Sequence, residues 1–142
     1  MNAEKAINFY TSVFKNSSIV QISRYEKGEH DVEGTIKHAQ FTLGNQLFAA
    51  MDSSGAHAFA FNEGISLVID CETQEEIDYY WNKLTEGGVE SQCGWLKDKF
   101  GVSWQVVPTI LEKLMSHPEK GQRVVQAFMQ MKKFDIEKLT NA

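Results

Sequence analysis

One six-residue pattern occurs twice in this chain of 142 residues, and it constrains the fold more than any other feature. Lys5-Ala6-Ile7-Asn8-Phe9-Tyr10 and Glu75-Glu76-Ile77-Asp78-Tyr79-Tyr80 share a charge first, isoleucine third, Asn or Asp fourth and aromatic rings fifth and sixth. The offset is 70 positions, close to half of the chain. Self-similarity at that spacing points to two copies of one structural unit. Each copy reads as a helix followed by about three strands. The second is also preceded by a strand, whereas the first begins at its helix. The predicted order is α-β-β-β, then β-α-β-β-β, then a helical tail.

The periodicity behind that order is local. Ala3, Ala6, Ile7, Tyr10, Val13 and Phe14 recur at helical steps, predicting a helix over 3–14 with Asn2 as its cap and Asn16 in a left-handed terminating turn. Residues 18–25 predict a strand, 27–34 a polar loop, and 35–43 with 46–51 a hairpin turning at Gly44-Asn45. The nearly continuous apolar run 65–71 predicts a strand covered on both faces. Thr73 to Glu76 has capping-box spacing, and the helix it opens carries Ile77, Tyr80, Trp81 and Leu84 before stopping at Gly87-Gly88. Strands are predicted over 89–95 and 102–107, with Pro108 closing the sheet portion. Capping boxes at Thr109 to Glu112 and Ser116 to Glu119 predict short tail helices, with a last turn over 134–139.

Composition narrows the function classes. Hydrophobic residues make up 42% and charged residues 23%, which is globular rather than disordered. A net charge of −5 gives no basic face for phosphates, so nucleic acid is not the expected partner. No apolar run approaches the roughly 20 residues of a membrane span, and the opening residues lack a signal-peptide pattern. The expectation is a soluble, cytoplasmic, single-domain protein. Cys71 and Cys93 lack the partners of a catalytic or zinc site and are expected as reduced thiols.

A duplicated βαβββ unit resembles the vicinal oxygen chelate superfamily, which includes glyoxalase I, ring-cleaving dioxygenases and bleomycin- and fosfomycin-resistance proteins. Residues 3–10, Lys37-His38-Ala39-Gln40-Phe41, Gly94-Trp95, 98–105 and 127–136 resemble its PhnB-like subgroup, often labelled 3-demethylubiquinone-9 3-methyltransferase. The resemblance covers essentially the whole chain. It implies an α+β fold of paired βαβββ modules, with the first strand absent here. The modules would be 1–52 (αβββ) and 64–108 (βαβββ), joined by 53–63 and followed by a tail over 109–142. It also implies that an uncovered sheet edge is met by a partner, in a swapped or edge-paired homodimer.

Superfamily enzymes hold a divalent metal at four strand positions, where His, Gln and Glu suit such ions. On that pattern the last position falls on Gln105, four residues after Gly101. The position four residues after Gly44 falls near Phe48, and another near Gly64 or Ser66, while the first position goes with the absent strand. Three protein ligands is the usual minimum for a catalytic site, so no metal and no cofactor is expected. The methyltransferase label would need a glycine-rich turn between a strand and a helix, and Gly87-Gly88 follows a helix instead.

The candidate ligand-binding residues are His38, Gln105, Trp95 and Phe100. His38 alternates with Gln40 and Thr42 on one strand face, opposite Ala39, Phe41 and Leu43, and histidine titrates near neutrality. Gln105 points opposite to Trp104 and Val106. Trp95 and Phe100 supply the aromatic wall usual in small-molecule sites, whereas Trp81 is expected in the core. His30, Asp31, Glu33 and His57 fall in polar loops and are expected to be solvated. The leading functional expectation is a metal-free cup binding a small molecule. The alternatives are a metal-dependent lyase, isomerase or dioxygenase of the glyoxalase type, and a drug-sequestering resistance protein.

Overall fold

The computed structural model describes all residues, Met1–Ala142, and its chain divides into two compact units, Met1–Ala58 and Phe59–Ala142. The fold is α+β, with one mainly antiparallel sheet system in each unit.

In the first unit α1 (Ala3–Val13) is followed by β1 (Ser17–Arg24), β2 (Ile36–Leu43) and β3 (Gln46–Ala50), which form an antiparallel sheet in the order β1-β2-β3. Ile7, Tyr10 and Val13 lie buried on one stripe of α1. They pack on the face of the sheet that carries Ile36, Ala39, Phe41 and Leu43, also buried. Gly44 sits at φ +57° in the two-residue loop between β2 and β3, a conformation that favours glycine. The start of α1 is not capped by Asn2. Instead Asp52, buried, accepts from Ala3 N at 3.1 Å and from Ile36 N at 3.1 Å, tying the helix to the sheet. Nor does Asn16 take a left-handed turn, because Cys93 is the non-glycine residue at positive φ. A carboxylate just beyond β3 thus replaces the local cap.

The second unit contains β4 (Leu67–Cys71), α2 (Gln74–Thr85), β5 (Val89–Glu90), β6 (Trp95–Lys97) and β7 (Ser103–Pro108), with strand order β4-β7-β6-β5. β4 runs parallel to β7, and the other pairs are antiparallel. The predicted strand over 89–95 is two strands, because the chain reverses through Ser91–Gly94, with Ser91 N donating to Trp95 O at 2.9 Å. Gly94 explains the reversal. At φ +80°, a Cβ there would stand 2.4 Å from the Phe134 ring and 2.7 Å from Val106 O. Thr73 caps α2 as predicted, accepting from Glu76 N at 3.2 Å. Glu76 reaches back one residue further, to Glu72 N at 2.7 Å. Ile77, Trp81 and Leu84 of α2 are buried over the sheet face made by Ile69, Cys71, Leu96, Trp104 and Val106.

The tail holds α3 (Leu111–Met115), α4 (Gly121–Phe128) and α5 (Ile136–Thr140). The two predicted capping boxes do not form. Ile110 and Lys120 occupy the cap positions without side-chain bonds, and Ser116 Oγ donates instead to Glu112 O. Asp135 does cap α5, accepting from Lys138 N at 3.0 Å. Phe134 and Leu139 are buried, each worth roughly 1.5–3 kcal/mol of burial. Gln74 bridges the tail to α2, donating to Phe134 O and accepting from Ile136 N.

Candidate functional site

In each unit one sheet face lies under its helix and the other is turned away from it. The second unit places Ser103, Gln105 and Val107 on the latter face of β7, opposite buried Trp104, Val106 and Pro108. Strand register supplies their neighbours. Gln105 stands between Val68 of β4 and Trp95 of β6, and Ser103 stands beside Lys97 of β6. Ser66 immediately precedes β4, on the same face as Val68. Gln105 Nε2 donates to Ser66 Oγ at 2.9 Å, so its carboxamide is drawn back along β7 towards Ser103. The Lys97 ammonium pairs with Glu63, whose carboxyl that contact holds below its usual range.

Asp98 braces this face from the hairpin between β6 and β7. Its buried carboxylate accepts from Phe100 N at 2.8 Å, Val102 N at 3.1 Å and Trp104 Nε1 at 2.8 Å. The last bond fixes the buried Trp104 indole and hence the alternation that turns Gln105 outward.

Of the predicted ligand residues, the fold brings Gln105 and Trp95 together as direct cross-strand partners. Phe100 lies in the hairpin loop, its backbone held by Asp98 and its ring beneath Lys99 Nζ at 5.7 Å. His38 belongs to the first unit, half-buried on the face of β2 away from α1, opposite Ser23. Gln40 and Thr42 share that face as predicted, and Thr42 Oγ1 lies 3.1 Å from Ser18 Oγ. Phe48 is on the other face, stacked on buried Phe41 with ring centroids 5.5 Å apart, so it marks a core position and not a ligand position.

The remaining polar candidates have local partners. His30 contacts Tyr25 OH at 3.4 Å, and His57 Nε2 contacts Ser53 Oγ at 3.0 Å. Backbone amides of Ser54 and Val32 hold the Asp31 carboxyl below its usual range. Burial pushes the Cys71 thiol up to about 12, which leaves it unreactive. Trp81 is buried as expected, with its indole donating to Glu90 Oε1 at 2.9 Å. A surface groove of about 890 Å³ opens elsewhere, between the start of α2 and the tail, lined by residues such as Gln74, Asp78, Lys133 and Asp135. None of the predicted ligand residues lines it. It is the seam where Lys133 pairs with Asp78 and the bridging Gln74 sits.

The metal positions can be compared with the donors present. The last-strand position is a carboxamide already bonded to a serine hydroxyl, and neither group is a strong ligand for a divalent transition ion. No group of three or more His, Cys, Asp and Glu side chains stands close enough to hold a metal ion. These residues do not make the divalent-metal site that the resemblance would call for. Sequence reasoning missed Ser103, Lys97 and Glu63. The period-two alternation of Ser103 with Gln105 was the available signal, but register alone decides what stands beside them.

The architecture and this face define an α+β protein built on a repeated helix-and-sheet unit, with a polar, aromatic-flanked patch on its second sheet. The 3-demethylubiquinone-9 3-methyltransferase family matches residues 1–107, and the chain belongs to that family. It is 45% identical to the PhnB protein of Bacillus cereus, itself named for the 3-demethylubiquinone-9 3-methyltransferases, with a TM-score of 0.72 over 76% of this chain and 92% of that one. The protein PA1353 from Pseudomonas aeruginosa, 21% identical, has the same fold, with a TM-score of 0.64 over 75% of this chain and 89% of that one. No curated protein matches the chain. No helix is long and apolar enough to cross a membrane.

Proposed function

We propose that this chain is a PhnB-like member of the vicinal oxygen chelate superfamily that binds a small molecule without a metal, on the face carrying Ser66, Trp95 and Gln105. The observation that carries the reading is the bond from Gln105 Nε2 to Ser66 Oγ. Two neutral groups are paired with each other at positions where metal-dependent relatives would offer a carboxylate or imidazole. A hydrogen-bonding patch flanked by Trp95 and Val68 suits a ligand that is part ring, part polar group.

Methyl transfer finds less support. The connection from β4 to α2 is Glu72-Thr73, without glycine, and the first turn of α2 is occupied by its own caps. Glu72, Glu75 and Glu76 around that turn would repel the carboxylate of an adenosyl-methionine donor.

We also propose a homodimer, on the strength of the open outer edge of β3 with exposed Leu47 and Met51 beside it. Sedimentation velocity tests this, and a monomer at all concentrations overturns it. Elemental analysis of protein purified without chelators, with thermal shifts in Mn, Fe, Ni, Zn and Mg, tests the site. The expected result is sub-stoichiometric metal and no saturable shift. Stoichiometric metal with a saturable shift replaces this reading with a metal-dependent enzyme of the glyoxalase type.

A further inference from the structure

Ser103 presents an anomaly on this same face. The residue is 2% exposed, and its Oγ is buried without a hydrogen-bond partner. Leaving a buried hydroxyl unmatched costs about 1–3 kcal/mol, so such a group calls for an explanation. Its surroundings give one. Lys97 stands beside it on β6, and Ser66 lies next to it one step before the register of β4. The Gln105 carboxamide reaches back to Ser66 from two residues along β7. Register therefore puts the Ser103 hydroxyl, which has no protein partner, beside the end of β4 towards which the Gln105 carboxamide is bonded.

Charge decides what these donors fit. The one cation at the patch, Lys97, is already neutralised by Glu63. The donors left over are a hydroxyl and an amide, both neutral. A single uncharged oxygen can accept from both, whereas a carboxylate would have to displace Glu63 and be desolvated beside uncharged groups. Trp95 opposite Gln105 offers a flat apolar surface next to that oxygen.

We infer that the ligand of this face is a neutral cyclic carbonyl compound (a ketone or lactam) whose oxygen accepts from Ser103 Oγ and Gln105 Nε2 while its ring lies on Trp95. This inference rests on the binding face proposed above and names the ligand class for it.

The test uses the full chain with three probes: 2-pyridone and cyclohexanone as neutral carbonyls, and benzoate as an anionic ring. Binding is read from the Gln105 side-chain amide signal by NMR, assigned with Gln105→Ala. The neutral carbonyls are expected to move that signal, and benzoate is not. Ser103→Ala should weaken 2-pyridone binding by about fivefold or more while raising Tm slightly, because it removes an unmatched polar group. If benzoate binds at Gln105 as well as 2-pyridone does, the binding face stands and the ligand class falls. Unchanged 2-pyridone affinity in Ser103→Ala also overturns the class, since the hydroxyl then serves no ligand. If no probe moves the Gln105 signal, the hydroxyl serves at most a buried water, and both this inference and the binding face fail.

Discussion

The two sheets follow the same plan with one strand of difference. In the second unit β4 lies parallel to β7, and β7 is buried or half-buried along its whole length. In the first unit the corresponding strand, β3, forms the edge of its sheet. Its Gln46, Leu47 and Ala49 are exposed, and Met51 just beyond it is 64% exposed. The helices above are alike, with Ile7 and Ile77 both fully buried. In both units the helix packs its buried stripe on three strands, and in the second unit the fourth strand also covers the sheet edge. It also supplies chemistry. Ser66, which holds Gln105, sits at the entry to β4, and the first unit has no strand there to offer a counterpart.

Each sheet is pinned by one buried carboxylate, and these give the largest expected effects. Asp98→Ala strands two backbone amides and the Trp104 indole, so it should cost about 3–4 kcal/mol in urea unfolding. Asp52→Ala strands only Ala3 N and Ile36 N, so about 2 kcal/mol is expected. If Asp52→Ala costs as much as Asp98→Ala, the first sheet is held as tightly as the second and the contrast breaks.

Giving the first unit its fourth strand sharpens the same comparison. A copy of the β4 sequence fused ahead of α1 through a Glu-Thr link should raise Tm by about 3–5 °C. It should also slow hydrogen exchange at Gln46–Ala50. A proline in the middle of the added strand should abolish both changes. Unchanged exchange at β3 would mean that its edge does not accept a strand.

Acid pH gives a smaller effect. Hydrogen bonds from Lys133 and then Gln74 hold the Asp78 carboxyl below its usual range, and Lys138 with its backbone amide does the same for Asp135. A carboxyl depressed in the folded state contributes stability above its ordinary value near about 4 and loses it as pH falls through the folded value. Stability should therefore drop between about pH 5 and pH 3, and Asp78→Asn should shrink that drop. At this half-exposed seam the change stays within about 1 kcal/mol, because solvent screens the pair. An unaltered acid limb in Asp78→Asn would show that the tail seam adds nothing at neutral pH. The smallest change is expected for His38→Ala, within about 0.5 kcal/mol, as the side chain is half-buried on the face away from α1.

Much of this was legible from residues alone. The repeat of Lys5 to Tyr10 at Glu75 to Tyr80 announced two units, helical spacing gave both core stripes, and Thr73 with Glu76 marked the start of α2. Gly44-Asn45 fixed a hairpin whose register the structure bears out. Alternation set Gln105 apart from Trp104 and Val106, and His38 apart from Ala39 and Phe41. These are short-range properties, decided by backbone geometry over a few residues. Several of the misses involve distant partners, whereas the tail capping boxes at Thr109 and Ser116 fail within their own turns. Asn2 lost its capping role to Asp52, and the strand over 89–95 broke because Gly94 must pass close to Phe134. The unmatched Ser103 hydroxyl and the pairing of Gln105 with Ser66 exist only because β4 lies parallel to β7 in one register. Periodicity states which face a side chain takes, but the neighbour it meets there is set by strand pairing across tens of residues. Tertiary structure alone decides that pairing, by burying apolar surface in one register over the others.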